Sequence, residues 1–310
     1  MTDSDRLGRI LPMLACPVCR GPLRRDGEAL ECACCATRRT IRGGRAVLLP
    51  DPAASPRVMP ESHVSNQPPH DFLDWVEKLD GWALNVGAGG TARKPANLVE
   101  MEYSVFRNTD VVGDAHHLPF ADASFDAVAT FNTFEHLCDP PAAAAEILRV
   151  LKPGGRLLLH TAFLQPVHEP PFHFYNTTEY GLRRWFRDFD VEEVSVSPNF
   201  QPAYVLAWLA AEMRHHLRAE QGEPAATLFG STPMDQWADA WIDPAKRSGP
   251  AWEALGRLGQ EAQKRFSGGF QLEATRPRGG VVPRARSVAR AGARRALGLG
   301  ARVKRRLVGR

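Results

Sequence analysis

Apolar positions along this chain change period several times. Residues 70–79 repeat them at helical spacing, whereas 82–86, 97–102, 111–115 and 124–130 are short strand-like runs. Residues 142–151 return to helical spacing. Lys152, Pro153, Gly154 and Gly155 stop that helix, and 156–160 is apolar again. Strands alternating with helices predict a parallel sheet with helices on both faces. Before residue 51 the apolar runs are shorter and broken by turn residues. Residues 51–70 carry Pro52, Pro56, Pro60, Pro68 and Pro69 without periodicity and read as an extended spacer. The expected organisation is a small module at 1–50, a linker at 51–70, an α/β domain at 71–276 and a tail at 277–310. Within the domain, about 201–265 reads as a helical insertion, with Trp208, Trp237, Trp241 and Trp252.

Composition places the chain among soluble globular proteins, with 44% apolar and 24% charged residues. The longest apolar stretch, 203–213, already contains Glu212 and falls far short of the ~20 residues of a membrane span. Asp3, Asp5, Arg6 and Arg9 interrupt any leader-like run, so a cytoplasmic location is expected. The net charge of +4 is unevenly spread: residues 51–276 are strongly acidic, and 277–310 hold 11 basic residues and no acidic one. Val281, Ala285, Val288, Ala296, Leu299, Val303 and Leu307 recur there at helical spacing among arginines. That pattern suits a solvated tail, an anionic membrane surface at the inner face, or RNA phosphates.

Five of the six cysteines lie between 16 and 35. Cys16 and Cys19 form one CxxC pair, and Cys32 and Cys35 form a second. Four thiolates in two tight turns are the donor set of a closed, structural Zn²⁺ site. Cys34 is an alternative to Cys32 or Cys35. A redox dithiol would need only one pair. The flanking residues make the module resemble a zinc ribbon, similar to the small activator protein that partners tRNA and translation-factor methyltransferases.

The run at 82–86 feeds Gly87, Ala88, Gly89 and Gly90, a turn that lets backbone approach a ligand at a strand's carboxyl end. Glu100 and Glu102 close the next run and suit a ribose diol. Asp114 closes the third. Glu135 and His136 follow the fourth, just beyond Asn132.

These segments, with Gly113–Phe120, Ser124–Val128 and 148–157, resemble the class I S-adenosylmethionine-dependent methyltransferases, in the group that includes ubiquinone-biosynthesis enzymes. The resemblance covers about 71–200 and resumes at 268–277. It implies a Rossmann-like seven-stranded sheet, with 191–197 and 269–276 as the last two strands. It also implies S-adenosylmethionine held by Asn85, Gly87, Ala88, Gly89, Glu100 (Glu102 competing), Asp114, Ala115 and Asn132. Asn85 stands where the group usually has an acid.

Asn132, Glu135 and His136 resemble the Glu-x-x-Glu-His segment of metal-dependent members, which implies Mg²⁺ at Glu135 and His136. The first Glu is replaced here by Asn132; the alternative is a structural pair at the next helix. His160, His168 and His173 make the loop after 160 histidine-rich, and His168 is the expected general base, with His136 and Glu135 beside it. The expected reaction is O-methylation of a small-molecule or glycan hydroxyl, lipid-linked acceptors included. Two alternatives stand beside it: an RNA methyltransferase gripping through the zinc ribbon and tail, and a non-catalytic zinc-ribbon adaptor.

Overall fold

The computed structural model describes residues 3–197, 200–268 and 270. Its nine strands form one sheet in the order β1-β2-β3-β4-β7-β6-β5-β8-β9. The first four are β1 (Leu23–Asp26), β2 (Ala29–Cys32), β3 (Arg38–Arg42) and β4 (Arg45–Val47), an antiparallel meander. The rest are β5 (Ala83–Val86), β6 (Leu98–Glu102), β7 (Val111–Val112), β8 (Phe125–Phe131) and β9 (Leu151–His160). They run parallel to one another, giving a Rossmann-like α/β core.

The seven-stranded expectation is corrected here. β4 pairs in parallel with β7, with Ala46 opposite Val111 and Val47 opposite Val112. A two-residue β7 would otherwise leave an open sheet edge, and β4 covers it. The N-terminal residues are therefore continuous with the core. Leu7, Ile10, Leu14 and Cys16 are buried in the same cluster as Leu84, Val86 and Phe120. Arg6, on α1 (Asp3–Ile10), pairs with Asp110 at 3.0 Å, and Arg6 and Arg9 both stack over Trp82. Arg20 reaches Glu146 at 2.6 Å from the first cysteine turn.

Residues 51–70 are not a free spacer either. No helix connects β5 to β6 or β6 to β7. Polar backbone in such short crossovers needs other partners, and residues 57–67 supply them. Val58 bridges to Val105, Gly90 N donates to Ser65 Oγ, Asn66 Nδ2 donates to Gly87 O, and Ala92 N donates to Gln67 Oε1.

Helices cover both faces. α2 (His70–Glu77) buries Phe72, Leu73 and Val76 against Ala83, Leu98 and Phe131. α3 (Pro140–Val150) packs Ala143, Ile147 and Val150 on the opposite face. Asp139 caps α3 by accepting from Ala142 N, and Pro140 occupies the first turn, where no amide donor is needed.

After α4 (Glu179–Trp185) the expected strand at 191–197 is absent. Among the described residues its alternating valines have no neighbouring strand to pair with, and Val196 is 68% exposed. The strand expected at 269–276 and the tail at 277–310 lie outside the described residues, apart from Phe270.

Between them stand α5 (Pro202–Gln221), α6 (Glu223–Ser231), α7 (Met234–Ile242), α8 (Pro250–Gly256) and α9 (Gln260–Phe266). Leu217, Ala226, Ala254 and Leu258 give these helices their own small core. Among the described residues no helix is long and apolar enough to cross a membrane.

Candidate functional site

The glycine turn sits at the carboxyl end of β5. Gly87 and Gly89 hold φ of 68° and 61°, the left-handed region that disfavours side chains. A Cβ on Gly87 would lie 2.1 Å from Thr133 Oγ1, and one on Gly89 2.6 Å from Ser65 Oγ. Ala88 is buried between them. Both conformation and close approach therefore require glycine.

The two candidate ribose acids point to different places. Glu102 Oε2 accepts from Gly89 N at 3.1 Å, and Oε1 accepts from Tyr103 N at 2.7 Å. Its carboxylate closes the strand end beside the glycine turn. Glu100 lies two residues deeper and is fully buried. Its Oε1 accepts from Thr91 Oγ1 at 2.5 Å, and its Oε2 has no partner among the described residues. Of the two acids, only Glu102 at the strand end reaches the glycine turn.

Burial pushes Glu100 up to about 7, against the pull of Lys94 and the Thr91 hydrogen bond. Its ordinary value is 4.5, so the folded chain holds this proton more tightly than the unfolded one. Stability from this group is complete below 4.5 and is lost as pH rises through about 7. The melting temperature should fall between pH 5 and 8. Glu100→Gln should remove that part of the fall, worth on the order of 3 kcal/mol at pH 8. Calorimetry of the two proteins across that range measures it.

The other cofactor candidates are brought together around the turn. Asn85 is buried, and both its amide atoms lack partners among the described residues. Asn132 holds φ of 50° at the end of β8, and its Oδ1 is likewise buried and unpartnered. Polar atoms left bare at adjacent strand ends are what an amino-acid moiety would satisfy.

Asp114 Oδ1 accepts from His116 N at 2.9 Å and from His116 Nδ1 at 2.7 Å, with Ala115 buried beside it. Burial alone would raise Asp114, but His116 holds it below the usual carboxylate range. Asp139 N donates to His116 Nε2, so the ring proton sits on Nδ1 and points at Asp114. The positioning role of His116 was not evident from spacing alone.

Glu135, His136 and His168 offer donor atoms that all lie within 4.8 Å of one another. His136 Nδ1 donates to Phe172 O and His168 Nδ1 to Pro166 O, which leaves both Nε2 atoms as the open ring nitrogens. Glu135 Oε2 accepts from Thr161 Oγ1, whereas its Oε1 is buried without a partner among the described residues. Burial raises Glu135 and lowers His168.

His173 packs against both imidazoles, at 4.3 Å from His168 and 5.6 Å from His136. Its own nitrogens are taken by His168 N and Asn176 Oδ1. Phe174 N and Tyr175 N both donate to Glu135 O, which ties the loop to the turn. Trp208 on α5 stands 6.0 Å from His168, so the first inserted helix flanks this cluster. Two imidazoles and one carboxylate suit a borderline divalent ion better than Mg²⁺, which prefers oxygen donors.

The thiols of Cys16, Cys19, Cys32 and Cys35 cluster within 4.8 Å. Sulfur separations are 3.7 Å for Cys16–Cys35 and 3.4 Å for both Cys19–Cys32 and Cys19–Cys35. A tetrahedral ion at ~2.3 Å from each sulfur needs about 3.8 Å between sulfurs. Cys34 lies outside the cluster, packed under Gly21.

Residues 87–159 match the methyltransferase domain family. The chain carries a methyltransferase domain. The ubiquinone/menaquinone biosynthesis C-methyltransferase of Haemophilus ducreyi is 35% identical over 94 residues, 28% of this chain and 36% of its own length. The demethylmenaquinone methyltransferase of Renibacterium salmoninarum is 38% identical over 116 residues, 32% of this chain and 48% of its own. The chain thus spans less than half the length of these curated relatives. Among solved structures, the [4+2]-cyclase SpnF aligns with a TM-score of 0.34 at 25% identity. That alignment covers 50% of this chain and 69% of the cyclase, too weak a likeness to transfer an activity.

Proposed function

We propose that this chain is an S-adenosylmethionine-dependent methyltransferase that methylates a hydroxyl on a small molecule or glycan. The observation that carries the reading is one juxtaposition. The glycine turn with Glu102, Asp114, Asn85 and Asn132 lies at the same strand ends as Glu135, His136 and His168. Bound S-adenosylmethionine supplies an electrophilic methyl group. Glu102 would receive the ribose diol, Asp114 the adenine amino group, and the bare amides of Asn85 and Asn132 the amino-acid end.

A hydroxyl is a poor nucleophile until its proton is taken. His168 offers a neutral imidazole with an open Nε2, oriented by Pro166 O and flanked by Trp208. The Glu135 carboxylate, whose donor atom lies within 4.8 Å of that of His168, would steady the imidazolium that forms. A second reading adds a divalent cation on Glu135, His136 and His168, because their three donor atoms already converge. The Cys16, Cys19, Cys32 and Cys35 cluster would hold structural Zn²⁺ and do no chemistry.

The test uses the purified full chain, methyl-labelled S-adenosylmethionine and separated small-metabolite, glycan, lipid and RNA fractions, with and without EDTA. Label in metabolite or glycan, stable to base as an ether, is the expected result. Label in RNA alone would overturn the acceptor class. Loss of activity with EDTA and return with Mn²⁺, while the cysteine cluster keeps its zinc, would support the cation reading; a loss that tracks zinc leaving the cysteines would not.

A further inference from the structure

A cavity of about 200 Å³ opens where the N-terminal module meets the central sheet. α1 contributes Arg6 to it, and the β3–β4 hairpin contributes Arg45. Lys94 comes from the β5–β6 crossover, and Arg107, Asn108 and Asp110 from the β6–β7 crossover. Four cations therefore share a space with one carboxylate.

That carboxylate is already divided. Asp110 lies 3.0 Å from Arg6 Nε and 2.7 Å from Lys94 Nζ. Arg45 and Arg107 pair with no carboxylate among the described residues. Arg45 donates to the carbonyls of Gly43 and Arg107, and Arg107 Nε donates to Thr91 O. Arg45 Nε is buried and has no partner among the described residues. Cations confined together away from bulk water repel one another. Burial also lowers Lys94, which registers the same penalty.

We propose that this cavity binds a phosphoryl group. A compact tetrahedral anion with several acceptor oxygens matches guanidinium forks converging from different elements. It would neutralise the excess positive charge. Arg107 Nε and Asn108 Nδ2 both donate to Thr91 O at 2.9 Å, so the cavity abuts the segment following the glycine turn. None of its residues belongs to the cofactor or histidine groups, so this proposal stands or falls apart from the methyl-transfer reading.

The test titrates inorganic phosphate into the full chain by calorimetry, with sodium chloride at matched ionic strength as control. Saturable phosphate binding is expected. Arg45→Gln and Arg107→Gln should each weaken it about tenfold, with circular dichroism unchanged. The two residues sit on different elements, so a variant that misfolds leaves the other to decide. A nucleoside monophosphate titrated in parallel separates the sources. Binding tenfold tighter than phosphate assigns the cavity to a phosphoester, and weaker or equal binding assigns it to free phosphate. No saturable binding of either, or unchanged affinity in a folded variant, would overturn the proposal.

Discussion

Glu102→Gln should weaken S-adenosylmethionine binding about 100-fold, while Glu100→Gln leaves it within about threefold of wild type. The first figure follows from losing one charge-assisted hydrogen bond to a ribose hydroxyl, worth ~1.5–3 kcal/mol, since glutamine retains one oxygen. Glutamine keeps an acceptor for Gly89 N, so the turn stays in place, while its NH2 group takes the place of the acceptor of Tyr103 N. The second follows from the burial of Glu100 under Thr91, where it faces no ligand space. Isothermal titration of the two variants distinguishes them. Equal losses in both, or a larger loss in Glu100→Gln, would return the ribose position to Glu100.

His168→Asn should lower kcat roughly 10²- to 10⁴-fold with the affinity for S-adenosylmethionine preserved. Asparagine retains a polar side chain but no base of comparable strength. The pH profile carries independent information. Burial lowers His168 below its ordinary 6.5, so the wild-type base stays neutral and active into mildly acidic solution. Activity should fall only as pH drops through that lowered value, where the imidazole takes up its proton. In His168→Asn this acid limb should vanish along with the rate. A variant that kept both rate and limb would show that another group removes the proton.

The cofactor turn could be read along the chain because its constraint is local. Gly87 and Gly89 permit the positive φ that the turn uses, and the strand before them announces itself by a short, largely apolar run. The four cysteines were equally plain, since CxxC spacing alone brings two sulfurs together. The choice between Glu100 and Glu102 was not. Both lie on the same face of β6, and only the position of the Gly89 amide separates them. The convergence of His168 on Glu135 and His136 was not legible either. His168 is 32 positions from His136, and only the loop held on Glu135 O brings their open nitrogens together.

Sequence by itself determined the alternating α/β order, the glycine turn, the thiol cluster and the histidine-rich loop, because each depends on residues close in the chain. Tertiary structure decided the rest. It joined β4 to β7 and so made the N-terminal ribbon part of one sheet, since an exposed two-residue edge must be covered. It turned the proline-rich 51–70 into a brace across the glycine turn, because crossovers without helices leave backbone groups that need partners. It also gathered Arg6, Arg45, Lys94 and Arg107 around Asp110 from four separate segments, a concentration of charge that no local pattern encodes.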